Sequence, residues 1–166
     1  MKPVRFCLAL FAASILLAPA FGAQVISGGG KIFGGAGHNI FVSQRGGDTY
    51  SSPPGSTNRY VYMSESESVA GETGGHPLFD RIEAFYPKDV IDLSEICRGR
   101  CTGPTFTRTL TGLTDPRAIY FTWLPDGNGG YSTIVCRYPC RGGYLWIVLE
   151  NGELALTPAN FDLGEN

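Results

Sequence analysis

This 166-residue chain has no segment with the 3.6-residue apolar period of a long amphipathic helix, and it lacks every compact enzyme motif. There is no His-Glu-x-x-His pair, which excludes the helical zinc-protease site. Neither a Gly-x-Ser-x-Gly elbow nor a phosphate-cradling Gly-x-x-x-x-Gly-Lys-Ser/Thr loop is present, and the glycine run at 28–37 fails the dinucleotide pattern because Phe33 stands where its last glycine should be. Histidine is limited to His38 and His76, both in glycine-rich turns, and Glu65 and Glu67 sit in a serine-rich stretch that cannot hold a carboxylate pair rigidly. The chain is therefore predicted not to be an enzyme. It also has no basic run that could follow a phosphate backbone, so nucleic acid is excluded as a partner.

The N-terminus carries Lys2 and Arg5, an apolar stretch from Phe6 to Leu17, and then the small residues Ala18, Ala20, Gly22 and Ala23. That order of charge, apolar core and small residues predicts a cleaved secretory signal peptide over residues 1–22. The apolar core of about a dozen residues falls short of the roughly twenty needed to cross a bilayer, so no membrane association is expected after cleavage. The 13 basic and 15 acidic side chains of the whole chain lose Lys2 and Arg5 with the leader, taking the formal charge from −2 to −4. Residues 23–166 are expected to form one domain, secreted or periplasmic.

The 23 glycines and 11 prolines, set among Tyr, Phe, Thr, Val and Ile, predict short strands joined by tight turns. Between Gln44 and Gly75 only Arg59–Met63 patterns as a strand, and the stretch near 44–77 is expected to be an exposed loop. Further strands are expected in 78–96, at Thr105–Leu110, at Ala118–Leu124 and at Tyr131–Cys136. A hairpin turn is expected at Asp126–Gly130 and another at Asn151-Gly152, between strands Tyr144–Leu149 and Glu153–Leu156.

Gly34-Gly35-Ala36-Gly37-His38-Asn39-Ile40-Phe41-Val42 lies on the nonapeptide pattern G-G-x-G-x-D-x-U-x at every position except that Asn39 replaces the aspartate. Gly28-Gly29-Gly30-Lys31-Ile32-Phe33 reads as a shortened preceding repeat. Downstream, Phe79-Asp80-Arg81-Ile82-Glu83-Ala84-Phe85 is followed by Asp89-Val90-Ile91-Asp92-Leu93-Ser94, and the chain closes on Leu156-Thr157-Pro158-Ala159-Asn160-Phe161. In these segments the sequence resembles the repeat-in-toxin β-roll proteins, especially the C-terminal domain of serralysin-type secreted metalloproteases. The resemblance implies an all-β fold, with a short glycine-rich parallel β-roll leading into an antiparallel β-sandwich. It also implies calcium, held by Gly28, Gly30, Gly35, Gly37 and Asn39, with Asp80, Asp89 and Asp92 as further candidates. Calcium takes six to eight oxygens, so the ligands would come from neighbouring turns. Three departures each remove an anionic oxygen: Asn39 and Asn160 stand where the pattern has Asp, and Ala84 precedes Phe85 where Asp is expected.

Two Cys-x-x-x-Cys units, Cys97–Cys101 and Cys136–Cys140, allow three disulfide pairings. Because both sit at strand ends of what reads as one sheet system, cross-links Cys97–Cys140 and Cys101–Cys136 are favoured, over a zinc site that the exported location argues against. Joined in that way, the units would gather Arg98, Arg100, Arg137 and Arg141 beside Tyr138 on one rim, suited to an unidentified protein or a glycan. Two functions are therefore expected from sequence. The first is an exported, non-catalytic, calcium-dependent structural or binding module; the alternative is a calcium-independent partner-binding protein of inhibitor or immunity type that uses the cysteine and arginine rim.

Overall fold

The computed structural model describes residues 23–27, 30–69, 72–73, 76–137 and 145–164. The expected signal peptide, Gly28, Tyr138, Cys140 and Arg141 lie outside the described residues.

A recurring apolar residue sets the architecture. Ile32, Phe41 and Tyr50 stand nine residues apart, Tyr60 follows after ten, and Ile82 and Ile91 are again nine apart. All six are buried, and each occupies a short strand. The chain enters on β1 (Gln24–Ser27) and coils through β2 (Lys31–Phe33), β3 (His38–Val42), β4 (Thr49–Ser51) and β5 (Thr57–Val61). An excursion with a 3-10 turn at Glu65–Glu67 and a small hairpin, β6 (Glu72–Thr73) and β7 (His76–Pro77), then interrupts the coil. The roll resumes with β8 (Asp80–Ile82) and β9 (Val90–Asp92), and ends at the one-turn helix α1 (Ser94–Cys97).

Successive turns alternate between two sheets, so strands two turns apart become parallel neighbours. One sheet runs β1-β3-β5-β9 and closes on β14 (Phe161–Asp162), with every pairing parallel. The second stacks β2, β4 and β8 in parallel. It then continues through β13 (Trp146–Leu149), β12 (Tyr131–Arg137), β11 (Ala118–Pro125) and β10 (Thr102–Phe106). Here β11, β12 and β13 pair antiparallel, whereas β10 lies parallel to β11. The all-β expectation holds, with a parallel roll leading into an antiparallel sheet.

Side chains alternate across each strand, so the rung residues point into one core between the sheets. Phe41 and Tyr60 stack with centroids 5.2 Å apart at 11°, and Tyr50 tilts against both at 5.2 and 5.6 Å. The same core takes in Ile147 and Leu149 from β13, Val135 from β12, and Ile119 and Phe121 from β11. This shared interior makes the roll and the antiparallel extension one packed unit.

Two expectations change. Within the supposed loop near 44–77, Thr49–Ser51 and Thr57–Val61 are roll strands, and only the stretch after Val61 leaves the coil. Asn151-Gly152 does not join two paired strands. The Asn151 amide instead bonds both backbone groups of Phe85, at 3.0 and 2.9 Å, and Thr133 binds Gly152 and Leu154. Those contacts lay 153–157 over the end of the core as irregular chain, with Leu154 and Leu156 packed on it.

Candidate functional site

Two rows of polar side chains run down the roll, one at the leading end of each sheet's strands. The first contains Asn39, Asn58 and Asp89, which occupy equivalent places on three neighbouring turns and are almost wholly buried. The Gly34–Gly37 turn wraps closely round the first of them. A Cβ on Gly34 would lie 2.9 Å from the Asn39 amide, and Gly37 takes φ +104°, which favours glycine. The Asn39 side chain accepts from the Gly35 N–H at 3.0 Å and donates to the Gly35 carbonyl and to Asn58 Oδ1, both at 2.9 Å. Asn58 in turn donates through Nδ2 to the Asp89 carboxylate at 3.0 and 3.2 Å and to Ser52 Oγ at 2.9 Å. Its backbone N–H reaches Asp89 Oδ1 at 2.8 Å, and Tyr86 N–H donates to Asp89 Oδ2 at 3.0 Å. Burial pushes the Asp89 carboxyl up, and those donors pull it back down. On the far side the Asn160 amide donates to the Asp89 carbonyl at 3.1 Å and to that of Pro87 at 3.2 Å.

The second row lies at the start of β2, β4 and β8 and contains Gly30, Asp48 and Asp80. Gly30 N–H donates to Asp48 Oδ1 at 2.8 Å, and Asp48 N–H donates to Asp80 Oδ1 at 2.9 Å. Ser43 Oγ donates to Asp80 Oδ2 at 2.7 Å, while the Tyr50 hydroxyl stands 3.3 Å from Asp80 Oδ2 and 3.4 Å from Asp48 Oδ2. Burial raises both carboxyls, Asp80 to about 7. Burial, and after it the Asp80 charge, also raise the Tyr50 and Tyr62 phenols.

Of the candidate calcium ligands, Asn39 and Asp89 stand in the first row and Gly30 and Asp80 in the second, Gly35 and Gly37 lie in the turn before Asn39, and Gly28 is outside the described residues. The Gly30 carbonyl accepts from Thr49 N–H, that of Gly35 from Asn39 Nδ2 and that of Gly37 from Thr57 N–H. Asp92 belongs to neither row: Oδ2 takes the Arg59 guanidinium at 2.8 Å and Oδ1 takes Ser94 N–H at 3.0 Å, while Arg59 also bonds Asp162. A cation site needs oxygens turned towards a common point, whereas these oxygens face N–H and O–H donors. Among the described residues no group of three or more His, Cys, Asp or Glu is arranged to hold a metal. As placed, the described members of this set make their hydrogen bonds within the protein.

The favoured cysteine pairing is corrected. Cys97 bonds Cys101 within one unit. The left-handed Arg98 and the positive φ of Gly99 reverse the chain after α1 and bring the two Cα atoms to 5.1 Å, inside disulfide reach. Such a small loop contributes about 2 kcal/mol in the chain-entropy picture, against about 3–4 kcal/mol for the longer cross-link expected. Cys136 is also disulfide-bonded. Of the expected arginine rim, Tyr138 and Arg141 lie outside the described residues. Arg98 and Arg100 are exposed, but Arg137 is half-buried, paired with Glu65 and donating to the Pro116 carbonyl at 3.2 Å.

Comparison with solved structures locates the fold. The chain is similar to the AlgE6R3 subunit of the Azotobacter vinelandii mannuronan C5-epimerase, known from its solution structure, at a TM-score of 0.55 and 22% identity over 85% of this chain and 73% of that one. The likeness is one of fold. It supports a β-roll-like domain and does not single out the serralysin domain. No family model and no curated protein matches the chain.

Sequence reasoning reached Asn39, Asp80 and Asp89 but missed Asp48 and Asn58. The signal was the spacing: Asn39 to Asp48 is nine residues, and Tyr50 and Tyr60 follow them at the place the nonapeptide gives to a large apolar residue.

Proposed function

We propose that this chain is an exported, non-catalytic β-roll module that keeps its shape without calcium and serves as a structural or binding unit. The supporting observation is the Asn39–Asn58–Asp89 row. Where stacked turns with aspartates on each would need a cation to offset their repulsion, two neutral amides here donate along the row to a single carboxylate. A primary amide presents both an oxygen and two N–H groups, so it can bridge successive turns directly. The turns are thereby cross-linked by hydrogen bonds. The likeness to a subunit of an epimerase supports the modular reading and assigns no substrate to this chain. Among the described residues no helix is long and apolar enough to cross a membrane.

The test is thermal unfolding of the purified protein, followed by circular dichroism in chelator and in millimolar calcium. The expected result is one cooperative transition whose midpoint is the same in both. A ligand that binds the folded state at 100 times its dissociation constant adds about 2.7 kcal/mol, so a filled calcium row would raise the midpoint by several degrees. A rise of that size would overturn the proposal.

A further inference from the structure

The outer face of the second sheet carries a solvent-open groove of about 620 Å³, on the side of β8, β12 and β13 away from the core. Its floor is the cross-strand row Ile134, Val148 and Arg81, set side by side by the strand register. Phe79 and Trp146 also line the groove, as do Pro125 at the end of β11 and Asp126 and Asn128 of the turn after it. The volume falls in the range of small-ligand sites.

Three hydrogen-bonding groups that line the groove have no partner among the described residues: the Trp146 indole N–H, the Asn128 side-chain amide and the Ser132 hydroxyl. Several corresponding groups elsewhere in the fold are engaged, although the buried Tyr60 and Tyr62 hydroxyls, in the core and away from the groove, have no partner among the described residues. The other indole, of Trp123, donates to the Leu154 carbonyl at 3.2 Å, Asn39, Asn58, Asn151 and Asn160 are all bonded, and Thr133 bridges Gly152 and Leu154. These three groups share the groove with Ile134, Val148 and two aromatic rings.

The geometry points to a binding site for a neutral saccharide. A sugar ring has an apolar C–H face for an aromatic or aliphatic surface and hydroxyls around its rim that both donate and accept. The groove supplies the matching parts: rings and Val148 for the face, and amide, hydroxyl and indole groups for the rim. Charge argues against an anionic glycan. Arg81 is already paired with Glu150, and Asp126 leaves the groove with one net negative charge. A purely apolar ligand would bury the three polar groups without partners. An extended peptide finds no strand edge here, because β12 and β13 are each paired on both sides. The inference builds on the binding-unit reading above and does not depend on calcium.

The test measures binding in chelator, by titration calorimetry and tryptophan fluorescence, of neutral hexasaccharides of β-1,4-linked glucose, mannose and N-acetylglucosamine, with a mannuronan hexasaccharide as the charged probe. At least one neutral probe is expected to bind saturably and shift the tryptophan emission, more tightly than mannuronan, and to be recovered chemically unchanged. Asn128→Ala and Ser132→Ala, both at the groove surface, should each weaken it about five-fold or more while melting like the parent protein. Failure of every neutral probe at millimolar concentration, tighter binding of mannuronan, or affinity indifferent to both substitutions overturns the inference. Loss of binding in chelator that returns with calcium would instead overturn the calcium-independent reading and leave the groove in place. A probe recovered cleaved or epimerised would overturn the non-catalytic reading alone.

Discussion

Asn58→Ala is expected to cost about 4 kcal/mol of folding stability and to lower the melting temperature by about 10–15 °C. Asn58 is 1% exposed and is the middle link of the first row. Its Oδ1 accepts from Asn39, and its Nδ2 serves the Asp89 carboxylate and Ser52 Oγ. Truncation leaves a buried amide N–H and a buried carboxylate short of partners, and each unmet group costs about 1–3 kcal/mol, more where it is charged. Asn58→Asp separates donation from mere volume, because it keeps the size and removes the N–H groups. It also sets a second carboxylate against Asp89. At about pH 8 its loss should be at least as large as that of Asn58→Ala, and it should shrink towards about pH 4 as one of the two carboxyls takes a proton. Chemical and thermal unfolding of both variants at the two pH values checks this. An Asn58→Asp protein that melts like the parent at about pH 8 would show that the amide donors do not hold the turns together.

Much of this row was legible before the fold was known, and the reason it was only partly so is physical. The Gly34–Asn39 turn announces itself because positive-φ glycines and a large apolar residue recur at fixed offsets. Asp89 and Ile91 are visible for the same reason in the string that follows Pro87. The turns ending at Asp48 and Asn58 are hidden because Ser43 and Gln44, and later Pro53, Pro54 and Ser56, replace glycines of the pattern with residues that signal an ordinary exposed loop. Tyrosine at 50 and 60 adds to the disguise, since a phenol reads as half-polar until its hydroxyl is seen facing a buried acid, as that of Tyr50 does. Among later elements, Asp126–Gly130 makes the expected hairpin through local bonds, with Asp126 Oδ1 accepting from Asn128 and Gly130. Asn151-Gly152 carries an equally strong local signal and is overridden by tertiary contacts. The pairing of Cys97 with Cys101 depends on the left-handed reversal at Arg98, which spacing alone does not encode. The groove was invisible for a different reason: its residues come from four separate segments that meet only once the sheet has formed.

Asp80 should make the protein more stable in mild acid than at neutral pH. Its carboxyl is fully buried, no Lys or Arg among the described residues bonds it, and burial holds it at about 7 against 3.8 for a free aspartate. For an acid raised in this way the folded state binds the proton more tightly than the unfolded chain does. The stabilisation is therefore complete below about pH 4 and is lost as pH rises through 7, by about 4 kcal/mol in all. Asp48 and Asp89, also raised by burial, act in the same direction. The carboxylates that fall below the usual range work differently: Asp162 is held down by the Gly164 N–H and Arg59, and Glu83 by Lys31. Their contribution is lost only as pH drops beneath about 4, so it does not oppose the trend between 4 and 8. Asp80→Asn should flatten the profile and raise the melting temperature at about pH 8. The new amide can keep Oδ1 on the Asp48 N–H and turn its own N–H groups to Ser43 Oγ and the Asp48 carboxylate. An amide already plays such a part in the first row, where Asn58 donates to the carboxylate of its neighbour Asp89. Melting curves of the parent and Asp80→Asn across about pH 4 to 8 decide the matter: a parent protein whose midpoint climbs over that range, or a variant as pH-sensitive as the parent, removes Asp80 as the cause.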